Sequence, residues 1–310
     1  MKKITVKAPC SSANLGSGFD VFGLALEAFH DTLTAELTDK GITVKVTGLG
    51  AEGIPTDLER NTAGLVAKTL VADRQVGVKL LVEKGIPLKM GLGSSGASAA
   101  ACAVALNKIL GLGLSKNEIV KAAAMGEVAA AGAGHADNVA ASVLGGFTMV
   151  QAWGKETVAV RLDPPRNLEV ALALPSIETP ENKTAKARAI LPKSVGFGDA
   201  VANARNAASI VAGFHFGDVE MIGRGMTDLI VEPARKQLIP GFDAVKKAAL
   251  KTGASGAAIS GAGPAVIAVV DSTKSSALNV ASAMKEAFIS EGIRCEACCT
   301  KPSFSGTVKV

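Results

Sequence analysis

Residues 87–100 constrain this chain more than any other stretch. They read Pro-Leu-Lys-Met-Gly-Leu-Gly-Ser-Ser-Gly-Ala-Ser-Ala-Ala. Before them, residues 76–84 alternate strictly through Val76, Val78, Leu80 and Val82, a strand pattern. After them, an alanine-rich run of good helix formers extends from Ser94 to Leu110, ended by Gly111 and Gly113. Glycines between a strand and a helix let backbone approach a ligand closely, and amides at a helix start attract anions. Taken literally, Gly91, Gly93 and Gly96 spell G-x-G-x-x-G, the dinucleotide fingerprint.

The surroundings reject that reading. A dinucleotide site runs strand, tight turn, helix, then a second strand with an acid about 20 residues on. Here several residues including Pro87 separate the strand end near Lys84 from Gly91. A second helix, not a strand, follows the first: Ser115 caps it and Glu118 completes a capping box. A Walker A loop fails too, because no Gly-Lys-Ser/Thr follows the glycines. What remains is a phosphate cradle whose Ser94 and Ser95 add hydroxyls, or a glycine–serine cap without ligand.

Composition narrows the classes. A chain of 310 residues suits one large domain or two modest ones. No run of about 18 apolar residues without charge occurs, which disfavours a membrane helix. Residues 1–9 alternate like a strand rather than a signal peptide. The net charge of +5 is spread out, aromatics total 4 % and Tyr is absent, so nucleic-acid binding is disfavoured. The five cysteines (10, 102, 295, 298 and 299) are odd in number, which fits reduced thiols in a cytoplasm. Cys295 and Cys298 form one C-x-x-C with no second pair for zinc and read as an alternating strand.

The hydrophobic pattern predicts strands at 3–8, 42–47, 76–84, 142–162, 168–174, 255–260, 264–270 and 293–299, with extended character over 20–37. It predicts helices at 62–73, 94–110, 115–131, 199–214, 217–229, 241–252 and 275–290, with a short one opening near Thr179. The paired prolines at 164–165 mark the best boundary, giving an α+β chain in two halves.

Three ordered motifs then coincide. The 87–98 loop resembles the central motif of the GHMP kinases. Lys7-Ala-Pro-Cys-Ser-Ser-Ala-Asn-Leu-Gly-Ser-Gly-Phe-Asp20 is similar to their N-terminal motif, and Ile259-Ser-Gly-Ala-Gly-Pro264 to their C-terminal glycine motif. Residues 13–25, Gly134-His-Ala-Asp-Asn-Val-Ala140, Gly145-Gly-Phe147, Val231-Glu-Pro-Ala-Arg235 and Leu238-Ile-Pro240 resemble the homoserine kinase branch. The chain departs from that pattern at Lys89-Met90, where Gly-Ser is usual, at Gly96 for Ala, and at Ala262 and Ala265 for Ser.

The resemblance implies the GHMP kinase fold. Residues 1–165 would form an ATP-binding domain like domain 2 of ribosomal protein S5, and 166–310 a ferredoxin-like domain. It implies transfer of the γ-phosphoryl of ATP to the side-chain hydroxyl of L-homoserine, with Mg²⁺, in a cytoplasmic homodimer without nucleic-acid or membrane partners. Lys89, Met90, Gly91, Leu92, Gly93, Ser94 and Ser95 would hold the triphosphate, Ser260, Gly261 and Gly263 would close over it, and Asn61 would meet adenine. Ser95 and Glu127 would hold Mg²⁺, with Thr184 near the metal or γ-phosphate. Glu127 has small apolar neighbours (Ala123, Ala124, Val128), which fits a packed surround. Arg188 and Arg235 suit the amino-acid carboxylate. Asn14, Asp20, His135 and Asp137 suit its ammonium and hydroxyl, with His135, Asp137 and Asn138 in one glycine-bounded loop segment. Asn138 stands near the place where some relatives carry an Asp base. Asn takes no proton, so the expectation is catalysis without a side-chain base.

Overall fold

The computed structural model describes residues 2–72, 74–131, 136–153, 156–179 and 183–310. The first half contains β1 (Lys3–Ala13), β2 (Phe22–Thr38), β3 (Ile42–Gly48), α1 (Thr62–Val71), β4 (Gly77–Lys84), α2 (Ser94–Ile109), α3 (Lys116–Ala131), α4 (Asp137–Leu144), β5 (Phe147–Trp153) and β6 (Glu156–Leu162). The second contains β7 (Leu168–Pro175), α5 (Lys183–Ala189), α6 (Phe197–Phe216), α7 (Val219–Gly225), α8 (Val231–Arg235), α9 (Phe242–Lys251), β8 (Gly256–Ile259), β9 (Val266–Asp271), α10 (Ala277–Ser290), β10 (Cys295–Thr300) and β11 (Val308–Lys309).

Two sheets follow from this order. One runs β11-β1-β2-β4-β3, with β5 on the far end of β2 and β6 beside it. The other runs β10-β7-β9-β8, all antiparallel. The alternation in β4 buries Val78, Leu80, Val82 and Lys84 and exposes the residues between. Helix α2 lies at the centre of the first half, against α1, α3, α4, β1 and β2. It is buried nearly all round, as a helix enclosed by neighbours must be, and its alanines let those neighbours approach. The box at Ser115 and Glu118 forms: Glu118 Nα donates to Ser115 Oγ at 3.3 Å and Ser115 Nα to Glu118 Oε2 at 2.8 Å. A second core, with Phe242, Val245, Val280, Met284 and Phe288, packs α9 and α10 on the four-stranded sheet.

Three expectations are corrected. Residues 142–144 are not strand but the end of α4, which buries Val139, Ala140 and Leu144 and stops at Gly145, φ 72°. Asp137 and Asn138 therefore open a helix rather than sit in a loop. The helix expected over 217–229 stops at Gly225 as α7, and a separate helix, α8, begins at Val231 beyond Asp228. The Asp228 carboxylate accepts from the amides of Ile230, Val231 and Glu232 and starts a new helix. The last residues leave the second sheet and return to the first, with Leu26 bridging Pro302 and β11 pairing β1.

The halves meet along the turn between β1 and β2. Asn14, Leu15 and Gly16 are consecutively left-handed, at φ 73°, 49° and 78°. A Cβ on Gly16 would lie 2.0 Å from the Met226 carbonyl, so only glycine fits there. Ser17 Oγ donates to the Gly225 carbonyl at 2.7 Å, tying the turn to α7.

Candidate active site

The loop before α2 is held from both halves. Ser11 Nα donates to the Leu92 carbonyl at 3.1 Å, Ala265 Nα to that of Met90 at 3.1 Å, and Ser260 Oγ to that of Gly91 at 2.8 Å. Gly91 and Gly93 have φ 84° and 65°. A Cβ on either would come within 2.2 Å of the Ser260 carbonyl or of Ser11 Oγ. Gly93 is the N-cap of α2, and no side chain caps the helix. First-turn amides have no partner within their helix, so an uncapped start suits an anion.

Beneath the loop lies a buried ion pair. Lys84 and Asp31 are paired with side chains 3 % and 0 % exposed. Lys84 Nζ also donates to Ser98 Oγ at 2.7 Å and to the Ser94 carbonyl at 2.9 Å. Asp31 Oδ1 accepts from the amides of Gly85 and Ile86. The pair thus ties the end of β4 to the first turn of α2. Burial pulls the Lys84 ammonium below its ordinary range, against the opposing pull of Asp31.

Glu127, from α3, faces Ser95. Ser95 Oγ donates to Glu127 Oε2 at 3.0 Å, while Oε1 is buried with no hydrogen-bond partner. Desolvation pushes the Glu127 carboxyl up to about 7. Ser95 and Lys84 oppose the rise, and Asp137 adds to it. Beside them Asn138 Oδ1 accepts from Ser11 Oγ at 2.9 Å, and Asn138 Nα donates to Asp137 Oδ1 at 2.7 Å. Asp137 is buried in the first turn of α4.

The opposite end is cationic. Arg188 Nη2 reaches both Asp20 oxygens, at 2.9 and 2.8 Å. Asn14 Oδ1 accepts from the Asp20 amide, and its Nδ2 donates to the Gly261 carbonyl, each at 3.0 Å. Buried Arg235 donates from Nε to the Ala187 carbonyl at 3.1 Å and from Nη1 to Gly261 at 3.0 Å. Phe19 lies under both guanidinium groups, 5.3 Å from Arg188 and 4.9 Å from Arg235. Burial lowers the Arg235 pKa. At the start of α5, Lys183 Nζ donates to the Lys89 carbonyl at 2.7 Å and also to that of Gly263. Burial, then Arg235 and Lys89, push it down to about 7.

One cleft of about 680 Å³ gathers these groups. Its walls include Asn14, Asp20, Asn61, residues 89–95, Glu127, Asp137, Asn138, Thr184, Arg188, Arg235 and Gly261. Ser260 and Gly263 support the loop from behind through their contacts with Gly91. His135 lies outside the described residues. Asn61 has both amide atoms committed: it caps α1 through Gly64 Nα at 3.0 Å and donates to the Pro55 carbonyl at 2.7 Å. Its side chain shapes the wall. Sequence reasoning missed Phe19, Lys183 and the Lys84–Asp31 pair. Phe19 lies inside the N-terminal motif, but nothing local reveals that two distant arginines stack on it.

An uncapped, glycine-lined helix start and two arginines line one cavity, an arrangement suited to a phosphorylated ligand beside a second charged one. The comparisons agree. The GHMP kinases N terminal domain matches residues 61–146, and the GHMP kinases C terminal domain matches 205–290. A homoserine kinase of Halorubrum lacusprofundi is 41 % identical over 305 residues, covering 98 % of this chain and 99 % of its own. One of Methanococcus maripaludis is 46 % identical over 272 residues, 87 % of this chain and 88 % of its own. The crystal structure of homoserine kinase from Cytophaga hutchinsonii superposes with a TM-score of 0.91 at 37 % identity, covering 100 % of this chain and 98 % of that one. The chain belongs to the homoserine kinase family of the GHMP kinases.

Proposed function

We propose that the protein transfers the γ-phosphoryl group of ATP to the side-chain hydroxyl of L-homoserine, giving O-phospho-L-homoserine in threonine biosynthesis. In this reading it works in the cytoplasm as a homodimer. Residues 1–165 act as the nucleotide-holding domain and 166–310 as its partner. The observation that carries the reading is the pairing, in one cleft, of an uncapped helix start with a Phe19-backed cluster of Asp20, Arg188 and Arg235. The first suits a triphosphate. The second offers bidentate cations for a carboxylate and a carboxylate for an ammonium, as an amino-acid substrate needs. Mevalonate has no ammonium to use Asp20.

The residues fit Mg²⁺. Glu127 Oε1 is a buried oxygen without a partner, and Ser95 Oγ adjoins its sister oxygen. Few protein oxygens suffice, since Mg²⁺ keeps waters and takes the rest from phosphates. Bound there, with Thr184 near the metal or γ-phosphate, it supplies charge neutralisation for the triphosphate. The amides of Gly91 to Ser95 orient the phosphates, and Ser260 holds the Gly91 carbonyl away from them. The apolar wall of Val46, Ile54, Pro55 and Leu88 suits a purine ring. Arg188 and Arg235 fix the substrate carboxylate, while Asp20, Asp137 and Asn14 orient its ammonium and hydroxyl. Asn138 is held by Ser11 and takes no proton. The hydroxyl therefore attacks phosphorus directly as the bond to the bridging oxygen of ADP breaks, and its proton leaves to a phosphoryl oxygen or water. ADP release measured with homoserine, serine, threonine and mevalonate tests the reading. Homoserine should give the highest kcat/KM, and a preference for mevalonate would overturn it.

A further inference from the structure

One ammonium in the cleft has no part in the chemistry above. Lys183 begins α5, the helix that carries Arg188 on the acceptor side, yet its Nζ reaches across to the carbonyls of Lys89 and Gly263. Those carbonyls belong to the loop before α2 and to the glycine turn behind it. The two segments touch: a Cβ on Gly91 would stand 2.8 Å from the Gly263 carbonyl. The ammonium thus sits on the seam between cradle and turn, lining the same cavity as Gly91, Ser95 and Arg188. Its hydrogen-bond partners are neutral, and no carboxylate offsets its burial among the described residues. The charged groups acting on it are Arg235 and Lys89, both cations. A buried ammonium whose charged neighbours are cations is costly, and negative charge from a ligand in the cavity would offset that cost.

Position decides which part of the ligand. With a triphosphate on the amides of the α2 start and an amino acid at Arg188 and Arg235, as in the reading above, the group in transit lies between them. Lys183 spans that gap, anchored on the acceptor side and reaching to the cradle. The loop itself supplies no lysine after its glycines. We propose that Lys183 is a further catalytic residue: its ammonium donates to an oxygen of the transferring γ-phosphoryl group, furnishing from the second half of the chain a cation that does not follow the loop's own glycines. No proton moves in this contact. The inference rests on the ATP-dependent reading above and extends it.

The rival role is a plain tie between two loops, and ADP separates the two. Lys183→Met and Lys183→Arg are compared with the unaltered protein by calorimetric titration with ADP and with a non-hydrolysable ATP analogue, and by steady-state kinetics with homoserine. Thermal unfolding checks that each variant is folded. For Lys183→Met, kcat should fall by about 10²–10³, the range for losing one electrostatic stabiliser of a transition state. Analogue binding should weaken about tenfold while ADP binding stays within about twofold, since only the analogue carries the γ-group. Lys183→Arg should recover most of the loss. Equal weakening for ADP and analogue, or an unchanged kcat, overturns the proposal. If the unaltered protein fails to phosphorylate homoserine, the functional reading falls instead, and the ADP–analogue comparison still reports whether Lys183 meets a γ-phosphoryl group.

Discussion

Glu127 carries the clearest pH signature in the cleft. Its carboxyl is raised in the folded chain from an ordinary 4.5 to about 7, chiefly by desolvation. Between those values the folded state holds a proton that the unfolded state has released, so stability contributed by this group is full below about 4.5 and falls as pH rises through 7. Melting temperatures of the ligand-free protein across that window should therefore decline, and Glu127→Gln should flatten the part of the slope that Glu127 causes. An unchanged slope in the variant would remove the buried-acid assignment. The carboxylate form is the one that binds a cation, so Mg²⁺ dependence of turnover should strengthen as pH rises through 7. Asp137 provides the test for a side-chain base. Asp137→Asn should raise KM for homoserine and leave the shape of the kcat–pH profile intact. A large, pH-dependent loss confined to kcat would show that a base exists. Arg235 is buried, stacked on Phe19 and bonded to two carbonyls, so Arg235→Lys should raise the homoserine KM by about tenfold or more.

The loop before α2 depends on backbone that only glycine adopts without penalty. Gly93→Ala combines a left-handed φ with a clash against Ser11, whereas Gly113→Ala has a similar φ of 68° and nothing within 4 Å. The open site should lose about 1 kcal/mol and the packed one clearly more, about 2–4 kcal/mol, in denaturant unfolding. Equal losses would mean that φ alone matters. Beneath the loop, Lys84→Met strands the buried Asp31 carboxylate and should destabilise by about 3–5 kcal/mol. These elements also show what a reader of the sequence can see. The capping box at Ser115 and the strict alternation of 76–84 are local patterns that form as read, and the glycine loop turns into a helix at Ser94 as its sequence indicates. Lys84 and Asp31 are 53 residues apart and carry no shared pattern, so their pairing emerges only when β2 and β4 align. Residues 142–144, the end of the short Asp137–Leu144 helix, read equally well as the start of a strand, because so short an apolar run has no decisive period. Lys183 beside Thr184 is one lysine among many until the fold sets it on the seam with Gly263.

Across the whole protein, both halves of the chain supply the candidate site: the loop before α2, Ser95 and Glu127 come from the first half, Lys183, Thr184, Arg188 and Arg235 from the second. The turn at Asn14–Asp20 belongs to the first half but is locked to the second through Gly225, Gly261 and Arg188. Ligands that touch both halves should therefore stabilise them together. ATP analogue and homoserine added at about 100 times their Kd should each add about 2.7 kcal/mol to unfolding, read as one cooperative transition. The most direct measurement is ³¹P NMR of a reaction containing the protein, ATP, Mg²⁺ and L-homoserine. The structure predicts a new phosphomonoester signal on the homoserine side-chain oxygen, formed with ADP in equal amount and lost in Glu127→Gln. ADP accompanied only by inorganic phosphate, or a phosphoester that forms equally well with mevalonate and not with homoserine, would contradict it.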